Sequence, residues 1–392
     1  MLDRFLARLE DPERPFLGPV IKFLTIWGVW LSNNPKMLMM SILLQLFETV
    51  FIVTEFIDLF YVKASLDLLL TNLKFSMQGA INMCKVWSFI AWQKDWRAVC
   101  DYVTRADIAN RSSLDPKKKK NIEGFTKYCR IVIYTYGTFT FATGFVVIFQ
   151  PGFKYLLSST YRENVKAGRE DYMQVISSWV PFNKHEMPGY FFACVIQGLG
   201  TFVAAGWITS YDVIALSIMI FIRAELEALK IDTVAIFDAS ESDAIDRIRD
   251  CHKRHIELIH YSELYNSCTS PILLLYTFIC TVILCSTAYQ ITNLETSTMQ
   301  QLMTVVYLMF GVAQLFLYSW HSNDVLYASM DLIRGPYESK WWTQSPSHQR
   351  NLFILVVQLS KTIIFTAGPF TNLTVATFIN ILKGAYSYYT LL

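Results

Sequence analysis

The last stretch of the chain, FTNLTVATFINILKGAYSYYTLL, is largely apolar but carries polar and small residues at a regular spacing. On a helix that advances about 100° per residue, intervals of three and four positions bring one set of side chains onto a single face: Thr377, Asn380, Gly384, Ser387 and Leu391. The chemistry of this seam is hydrogen bonding. Polar groups at membrane depth bond to a neighbouring helix or face an aqueous path, because lipid offers them no partner.

Two interpretations of the seam remain open from its periodicity. In the first, small and polar residues pack against helices of the same bundle. In the second, the seam lines a pore that several copies share. The end of the sequence directly after this helix favours the pore, because a helix that stops at the outer surface can form an apolar constriction there. Leu391, with Thr390 beside it, would form that ring, and hydrophobic rings can gate by dewetting. Lys383 lies off the seam centre and is not assigned to a selectivity filter.

Three histidines, His252, His255 and His260, are the other candidates for chemistry. His252 and His255 share a helical face, but no second ligand pair has the spacing of a zinc site. We therefore interpret this stretch as a solvated polar helix. The eight cysteines are expected to be reduced apolar fillers, and no cofactor or metal is expected.

The elements that position these residues follow from the composition. Of the 392 residues, 53% are hydrophobic and only 17% are charged, against about a quarter in soluble domains. A net charge of +2 gives no basic face for nucleic acid. Segments of roughly 20 apolar residues can cross the hydrocarbon layer, and seven are candidates: 37–61, 66–92, 128–149, 190–222, 271–291, 302–320 and 370–392. The stretch FLGPVIKFLTIWGVW before them is predicted to be a membrane-surface helix, because Lys22 interrupts it.

The distribution of Lys and Arg predicts the orientation. These residues concentrate in the segments on the N-terminal side of the membrane, including the run Lys117–Lys120, and such segments stay in the cytoplasm. The sequence therefore predicts an all-α membrane protein with seven transmembrane helices, the N-terminus inside, the C-terminus outside, and cytoplasmic helical extensions of the fourth and fifth spans. The acceptor triplets at Asn110 and Asn372 would then be cytoplasmic and unglycosylated.

The region between the sixth and seventh spans has its own pattern. The apolar stretch Leu352–Ala367 is too short to span and is interrupted by Gln358 and Lys361. Gly368-Pro369 then breaks the chain before the last span. A short inner helix that packs in a cytoplasmic bundle, within or between subunits, is predicted.

The C-terminal region resembles the insect odorant receptors. The residues that carry the resemblance are Asn323, Tyr337, Trp341, Trp342, Arg350-Asn351-Leu352, Ala367-Gly368 with Phe370, Leu373, Phe378 and LKGAYSYYTLL. Thr362 and Ser322 stand where that family often has Pro and Gly. The resemblance in topology covers the whole chain, and the motifs cover roughly its last seventy residues.

The resemblance implies an odorant-gated, nonselective cation channel in the plasma membrane of olfactory sensory neurons. This chain would be an odorant-selective subunit that forms a heterotetramer with the co-receptor, with membrane lipid around it. Four parts are implied: a cytoplasmic N-terminus with its surface helix (1–36), six spans forming the ligand-binding domain (37–320), a cytoplasmic anchor (321–369) and the pore-lining span (370–392). The pore-lining residues would be Thr377, Asn380, Gly384, Ser387, Thr390 and Leu391.

The resemblance also implies a pocket for a small volatile organic ligand in the outer half of spans two to six. The residues there are Asn72, Phe75, Ser76, Gly137, Phe141, Gly144, Phe145, Val195, Leu199, Phe202, Phe278, Met303, Tyr307 and Phe310. Aromatic, mostly apolar walls suit such a ligand, although any one of these side chains can equally pack in the core or against lipid.

Other functions remain as alternatives. A G protein-coupled receptor also has seven spans, but VVIFQPGF stands where its acidic-Arg pair would end the third span, and the seventh lacks Asn-Pro. A gustatory-type channel is the alternative within the same class. No Ser-His pair, two-His metal helix or Gly-rich phosphate loop lies in a span, so an enzyme is not expected.

Overall fold

The computed structural model describes residues 10–61, 66–238, 241–292 and 298–391. The helices are α1 (Gly18–Ile26), α2 (Pro35–Tyr61), α3 (Leu66–Ala91), α4 (Gln93–Ser112), α5 (Pro116–Leu157), α6 (Ser159–Lys166), α7 (Gly189–Val234), α8 (Glu241–Thr292), α9 (Thr298–Asp331), α10 (Arg334–Glu338), α11 (Pro346–Leu359) and α12 (Val375–Leu391). Two short strands, β1 (Thr366–Ala367) and β2 (Thr371–Asn372), pair antiparallel.

Four helices of the described part are long and apolar enough to cross a membrane: α2, α5, α7 and the part of α8 at Asp243–Thr287. The other predicted spans fall on α3, α9 and α12. Helix α3 carries Lys74 and Lys85 in its centre, and α12 has only 17 residues. The count of seven spans and the orientation of the termini therefore remain predictions.

Helix α7 runs through the centre of the bundle. Almost every side chain from Val203 to Leu229 is buried, and α7 packs against α5, α8 and α9. Helices α7 and α8 extend well beyond the predicted fourth and fifth spans, as the sequence indicated. Between the extensions, Arg254 forms ion pairs with Glu225, at 2.6 Å, and with Asp232.

Helix α1 packs one face against the bundle, and its position at the membrane surface stays a prediction. Its residues Val20 and Leu24 are buried, and Phe16 before it lies 5.3 Å from the ring of Phe221. The interrupting Lys22 does not prevent this packing, since its Nζ donates to the Glu10 carbonyl at 2.6 Å. Arg130 pairs with the Glu10 carboxylate at 3.0 Å and holds this segment against α5.

The last helix begins five residues later than the predicted start at Phe370, because the preceding residues form the hairpin β1–β2. Gly368 turns the hairpin with φ of +68°, a conformation that favours glycine. Polar side chains of α8 bind the hairpin backbone: Asn266 accepts from Thr366 N at 2.9 Å, and Ser270 Oγ accepts from Gly368 N at 2.9 Å. The chain therefore enters α12 from a fixed position on α8.

The short inner helix α11 buries one face and exposes the other. Leu352, Leu355 and Leu359 are buried, and α11 packs against α8. On the other face Phe353 is 67% exposed, and Ile354 is also exposed. An apolar face of the region 321–369 is thus open in the single chain.

Candidate functional site

A narrow cavity of about 80 Å³ lies between α2, α3, α5, α7 and α9. Aromatic rings and aliphatic groups form most of its wall, and hydroxyl, amide and carboxyl groups interrupt them. Its lining includes Glu48, Phe51, Ile52, Glu55, Phe75, Gln78, Gly79, Asn82, Thr140, Thr143, Gly144, Val147, Ile176, Thr201, Tyr307 and Phe310. This mixture of apolar walls and few polar groups is typical of small-molecule sites.

Four of the residues predicted to bind a ligand line this cavity: Phe75, Gly144, Tyr307 and Phe310. The rings of Phe75 on α3 and Tyr307 on α9 meet edge to face with 5.4 Å between their centroids. Gly144 leaves room in the α5 wall, because a Cβ placed on it would meet only the Ala205 side chain, at 3.5 Å. These residues lie on three different helices, so the shape of the cavity depends on the relative positions of those helices.

Another group of predicted ligand residues forms a separate aromatic cluster with α1. Phe141 and Phe202 lie 5.7 Å apart, and both contact Trp27, at 5.7 Å and 5.3 Å. Phe145 joins them at 6.3 Å from Phe202. Burial of α1 between α5 and α7 places these rings away from the cavity.

The remaining predicted residues lie elsewhere. Gly137 faces Thr209 of α7, and Asn72 and Ser76 are buried on α3 outside the cavity lining. The exposed residues point outward from the chain: Val195, Leu199 and Phe278. Met303 is on α9, but its side chain lies outside the described residues.

Sequence reasoning missed the contribution of α2. Glu48 and Glu55 both line the cavity from this helix. The signal was present, because two acids seven positions apart share a helical face, and ionisable residues inside a membrane segment usually have a function. Phe51 lies between them on the same wall.

The loop between α5 and α7 folds over one end of the cavity. Ile176 of this loop lines the cavity, and Trp179 N donates to the Thr54 carbonyl of α2 at 3.0 Å. Lys184 pairs with Asp58 of α2 at 2.7 Å, and Ser177 donates to the same carboxylate. These contacts hold the loop on α2.

A buried polar network lies at the opposite end of the cavity from this loop and is centred on Asp212 of α7. Lys85 Nζ and the Tyr318 hydroxyl each donate to Asp212 Oδ1 at 2.6 Å. The Tyr136 hydroxyl and the Gln314 amide donate to Oδ2. Lys85 and Asp212 are both fully buried, and the network around this ion pair joins α3, α5, α7 and α9.

Cavity and network are in direct contact. The ring of Phe310, which lines the cavity, stacks on Tyr136 with 6.2 Å between centroids. The Tyr276 hydroxyl of α8 donates to Gln314 Oε1 at 3.0 Å, so α8 is also joined to the network. A displacement of Phe310 therefore acts on groups that five helices share.

The polar seam of α12 lies on the face that the chain itself leaves open. Asn380 and Ser387 are exposed, and a Cβ on Gly384 would meet no atom within 4 Å. Thr377 Oγ1 donates to the Asn372 carbonyl at 2.7 Å. On the opposite face Phe378 packs on Phe316 of α9 at 5.5 Å, and Ala385 is buried. The side chains of Thr390 and Leu391 lie outside the described residues.

The histidines of α8 do not converge. The His255 ring is buried with Nδ1 3.3 Å from the Gln358 amide of α11, while His260 packs on Tyr261. In the described ranges, no three His, Cys, Asp or Glu side chains form a group that could hold a metal ion.

Comparison with known proteins gives three kinds of match. The sequence model of the family "7tm Odorant receptor" matches residues 65–386. Odorant receptor Or2 of Anopheles gambiae is 23% identical over 214 residues, which is 52% of this chain and 56% of that protein. Odorant receptor 82a of Drosophila melanogaster is 26% identical, over 54% of this chain and 55% of that protein. The chain thus spans about half the length of these curated relatives.

The odorant receptor coreceptor of Anopheles gambiae also matches, at 23% identity over 36% of this chain and 29% of that protein. Among solved structures, the insect olfactory receptor OR5 from Machilis hrabei in complex with eugenol superposes with a TM-score of 0.82. The match covers 100% of this chain and 97% of that one at 16% identity, so it shows a shared fold.

Proposed function

The chain belongs to the 7tm odorant receptor family, and from this we propose that it is an odorant-selective subunit of a ligand-gated, nonselective cation channel. A small volatile organic molecule binds in the cavity between α2, α3, α5, α7 and α9. Its binding opens a central pore, which this chain forms with the co-receptor in a heterotetramer. The channel acts in the plasma membrane of olfactory sensory neurons.

One observation carries the proposal: α9 touches both the cavity and the helix with the polar seam. Phe310 of α9 lines the cavity. Six residues further along, Phe316 packs on Phe378 of α12 at 5.5 Å. A ligand that displaces Phe310 therefore pushes on a helix that contacts α12, and α12 carries its polar seam on the opposite face. Binding and pore opening are coupled through one rigid element.

Two open surfaces support assembly with other subunits. The seam residue Asn380 is exposed in the single chain, and polar groups at membrane depth need water or a partner. The apolar face of α11, with Phe353 and Ile354, is exposed as well, and such patches mark interaction sites. We propose that the region 321–369 anchors the subunits and that 370–392 surrounds the pore.

The buried network around Asn110 supports the proposed orientation. The Asn110 amide donates to Glu225 at 2.6 Å and accepts from Arg254 at 3.2 Å, so this acceptor triplet has no room for a glycan. The basic run Lys117–Lys120 lies just beyond it at the start of α5. Both features fit a cytoplasmic position, with the N-terminus on the same side.

Cysteine accessibility tests the pore assignment. The chain is expressed with a co-receptor, and odorant-evoked current is recorded while G-protein signalling is blocked. We expect Asn380→Cys and Ser387→Cys to make the current sensitive to a membrane-impermeant thiol reagent, because both side chains would face water. Ala385→Cys is the matched control on the buried face, where Ala385 is 5% exposed, and its current should stay insensitive to the reagent. Sensitivity at Ala385 alone, or loss of all current without G proteins, would contradict the proposal.

A further inference from the structure

Two carboxyl groups on α2 face the cavity from within the bundle. Glu48 is 1% exposed and Glu55 is 3% exposed, and both line the cavity. Seven residues separate them, so they lie two turns apart on one face of the helix. The Glu55 carboxyl group lies close to the α3 backbone at Gly79. A Cβ atom added at Gly79 would lie 3.2 Å from Glu55 Oε2.

Neither carboxyl group has a partner in the part of the chain that the structure describes. Oε2 of Glu48 and Oε2 of Glu55 are buried without a hydrogen bond, and neither residue takes part in an ion pair. Lys74 on the adjacent helix donates to Gln290, and its Nζ stands 5.7 Å above the centroid of the Tyr307 ring. Buried polar groups are normally satisfied, so two unsatisfied carboxyl groups indicate a partner that enters the cavity.

A third acid on the same helix provides the contrast. Asp58, one turn beyond Glu55, is also buried, but Lys184 pairs with it at 2.7 Å and Ser177 donates to it. The fold therefore supplies a cation to the acid outside the cavity and none to the two acids inside it.

The rest of the cavity wall also suits a cation. The lining residues that the structure describes include no Lys, Arg or His. They include four aromatic rings, from Phe51, Phe75, Tyr307 and Phe310. The faces of such rings attract ammonium groups, and carboxylates are their strongest hydrogen-bond acceptors in proteins.

We propose, on the basis of the function proposed above, that the cavity selects small volatile amines. The amine enters as the neutral base, since a buried carboxyl group without a counter-ion is costly to ionise. The carboxyl group of Glu55 then gives its proton to the amine: the O–H bond breaks, an N–H bond forms with the nitrogen lone pair, and an ammonium–carboxylate pair remains. The net charge of the cavity does not change. Glu48 accepts a further N–H hydrogen bond or keeps its own proton.

The size of the cavity limits the hydrocarbon part. A volume of about 80 Å³ is smaller than the 150 Å³ or so that holds benzene in an engineered protein cavity. Primary amines with about two or three carbon atoms are therefore the probes, because scaling from the six heavy atoms of benzene leaves room for about three to four heavy atoms. The alcohols of equal chain length are the matched neutral ligands.

The experiment measures both ligand classes on the chain expressed with a co-receptor. We expect half-maximal current at an amine concentration about tenfold or more below that of the matched alcohol. One charged hydrogen bond contributes enough binding free energy for a difference of this size. Glu55→Gln and Glu48→Gln preserve the side-chain shape. Each should raise the amine concentration required for half-maximal current by about tenfold or more, and should change the corresponding alcohol concentration by about twofold at most. Asp58→Asn is the matched control, and the ratio of amine to alcohol response should stay unchanged.

A second readout separates this inference from the proposed channel function. Purified subunit with co-receptor should show a higher thermal midpoint in the presence of the amine, and Glu55→Gln should remove that increase. Current evoked by neutral odorants but not by amines, or equal losses for both ligands in the two Gln variants, would overturn the inference and leave the channel intact. Thermal stabilisation by amines in the absence of any odorant-evoked current would contradict the proposed channel function, while amines would stay supported as the ligand class.

Discussion

Asp212 accepts hydrogen bonds from four side chains on three other helices, and it is the most heavily bonded buried acid described in the bundle. Lys85 opposite is surrounded by the rings of Tyr211, Tyr276 and Tyr318 at 5.4, 4.8 and 5.8 Å. A buried ion pair is stable when further hydrogen bonds satisfy both partners, and the loss of one partner is expensive.

We expect Asp212→Asn to destabilise the protein by about 3–5 kcal/mol, because it leaves the Lys85 charge buried and unpaired. The thermal midpoint of the detergent-purified protein measures this loss. Asp246→Asn is the control, since its pair with Arg249 is exposed and should contribute little. Replacing both partners with apolar residues, Lys85→Met with Asp212→Leu, should recover part of the loss; a double variant less stable than Asp212→Asn would refute this account.

At the cavity, Gly144→Leu tests ligand access. The added side chain projects into a space of about 80 Å³, so we expect the half-maximal ligand concentration to rise about tenfold or more. Gly152→Leu is the matched control on the same helix, where a Cβ would meet no atom within 4 Å. Unchanged sensitivity in the Gly144 variant, with normal surface expression of both variants, would exclude this cavity as the ligand site.

At the scale of elements, α9 connects the cavity to α12 and to α7. Its C-terminal end is bound to α7 by Arg223–Asp324 at 3.3 Å and Lys230–Asp331 at 2.6 Å. The hydrogen bond from the Lys230 ammonium lowers the pKa of the Asp331 carboxyl group, so this carboxyl group stays ionised near neutral pH. Helices α7 and α9 therefore move together at this end.

We expect Phe316→Ala to weaken the coupling between ligand and pore, because it removes the 5.5 Å ring contact with Phe378 of α12. Maximal current at saturating ligand should fall severalfold, while ligand-induced thermal stabilisation remains. Met309→Ala, an outward-facing position on α9, serves as the control for expression. Loss of ligand stabilisation together with current would assign Phe316 to folding or binding instead of coupling.

The helices were largely predictable from the sequence, but the rotation of each helix about its own axis was not. Periodicity placed Asn380, Gly384 and Ser387 on one face, and that face is open in the structure. Hydropathy cannot say which neighbour a helix face meets. Phe141 and Phe202 were expected at the ligand and pack on Trp27, because α1 enters the bundle despite Lys22. The hydrogen bond from Lys22 to the Glu10 backbone carbonyl cannot be predicted from the local sequence.

The site was only partly predictable for the same reason. Phe75, Gly144, Tyr307 and Phe310 line the candidate cavity, because the resemblance indicated the helices and the small or aromatic residues indicated the faces; their binding of a ligand stays a prediction. Glu48 and Glu55 were missed, since α2 lay outside the expected helices. The start of α12 was also displaced, because hydropathy does not register the hairpin that Asn266 and Ser270 stabilise.

At the scale of the whole molecule, glycosylation tests the orientation. The loop between α5 and α7 should face outward, so the double substitution Gly168→Asn and Glu170→Ser creates an acceptor triplet at an exposed tip. Gly168 has φ of +68°, which Asn tolerates better than most residues. We expect glycosidase treatment to shift the mobility of this variant and to leave the unsubstituted chain, with Asn110 and Asn372, unchanged. Glycosylation of Asn110 would instead show that the orientation in the membrane is opposite to the predicted one.

Helix α7 is a single rod of 46 residues, with Asp212 near its middle and Val234 at its inner end. Val234 lies 22 residues from Asp212, about 33 Å along the axis at 1.5 Å per residue. A tilt of one degree about that fulcrum shifts the far end by about 0.6 Å, and ten degrees by about 6 Å, more than one helical turn. Thr201 at the cavity lies 11 residues from Asp212 in the other direction, about 16 Å along the axis, so a shift of about 0.5 Å at Thr201 corresponds to about 1 Å at Val234.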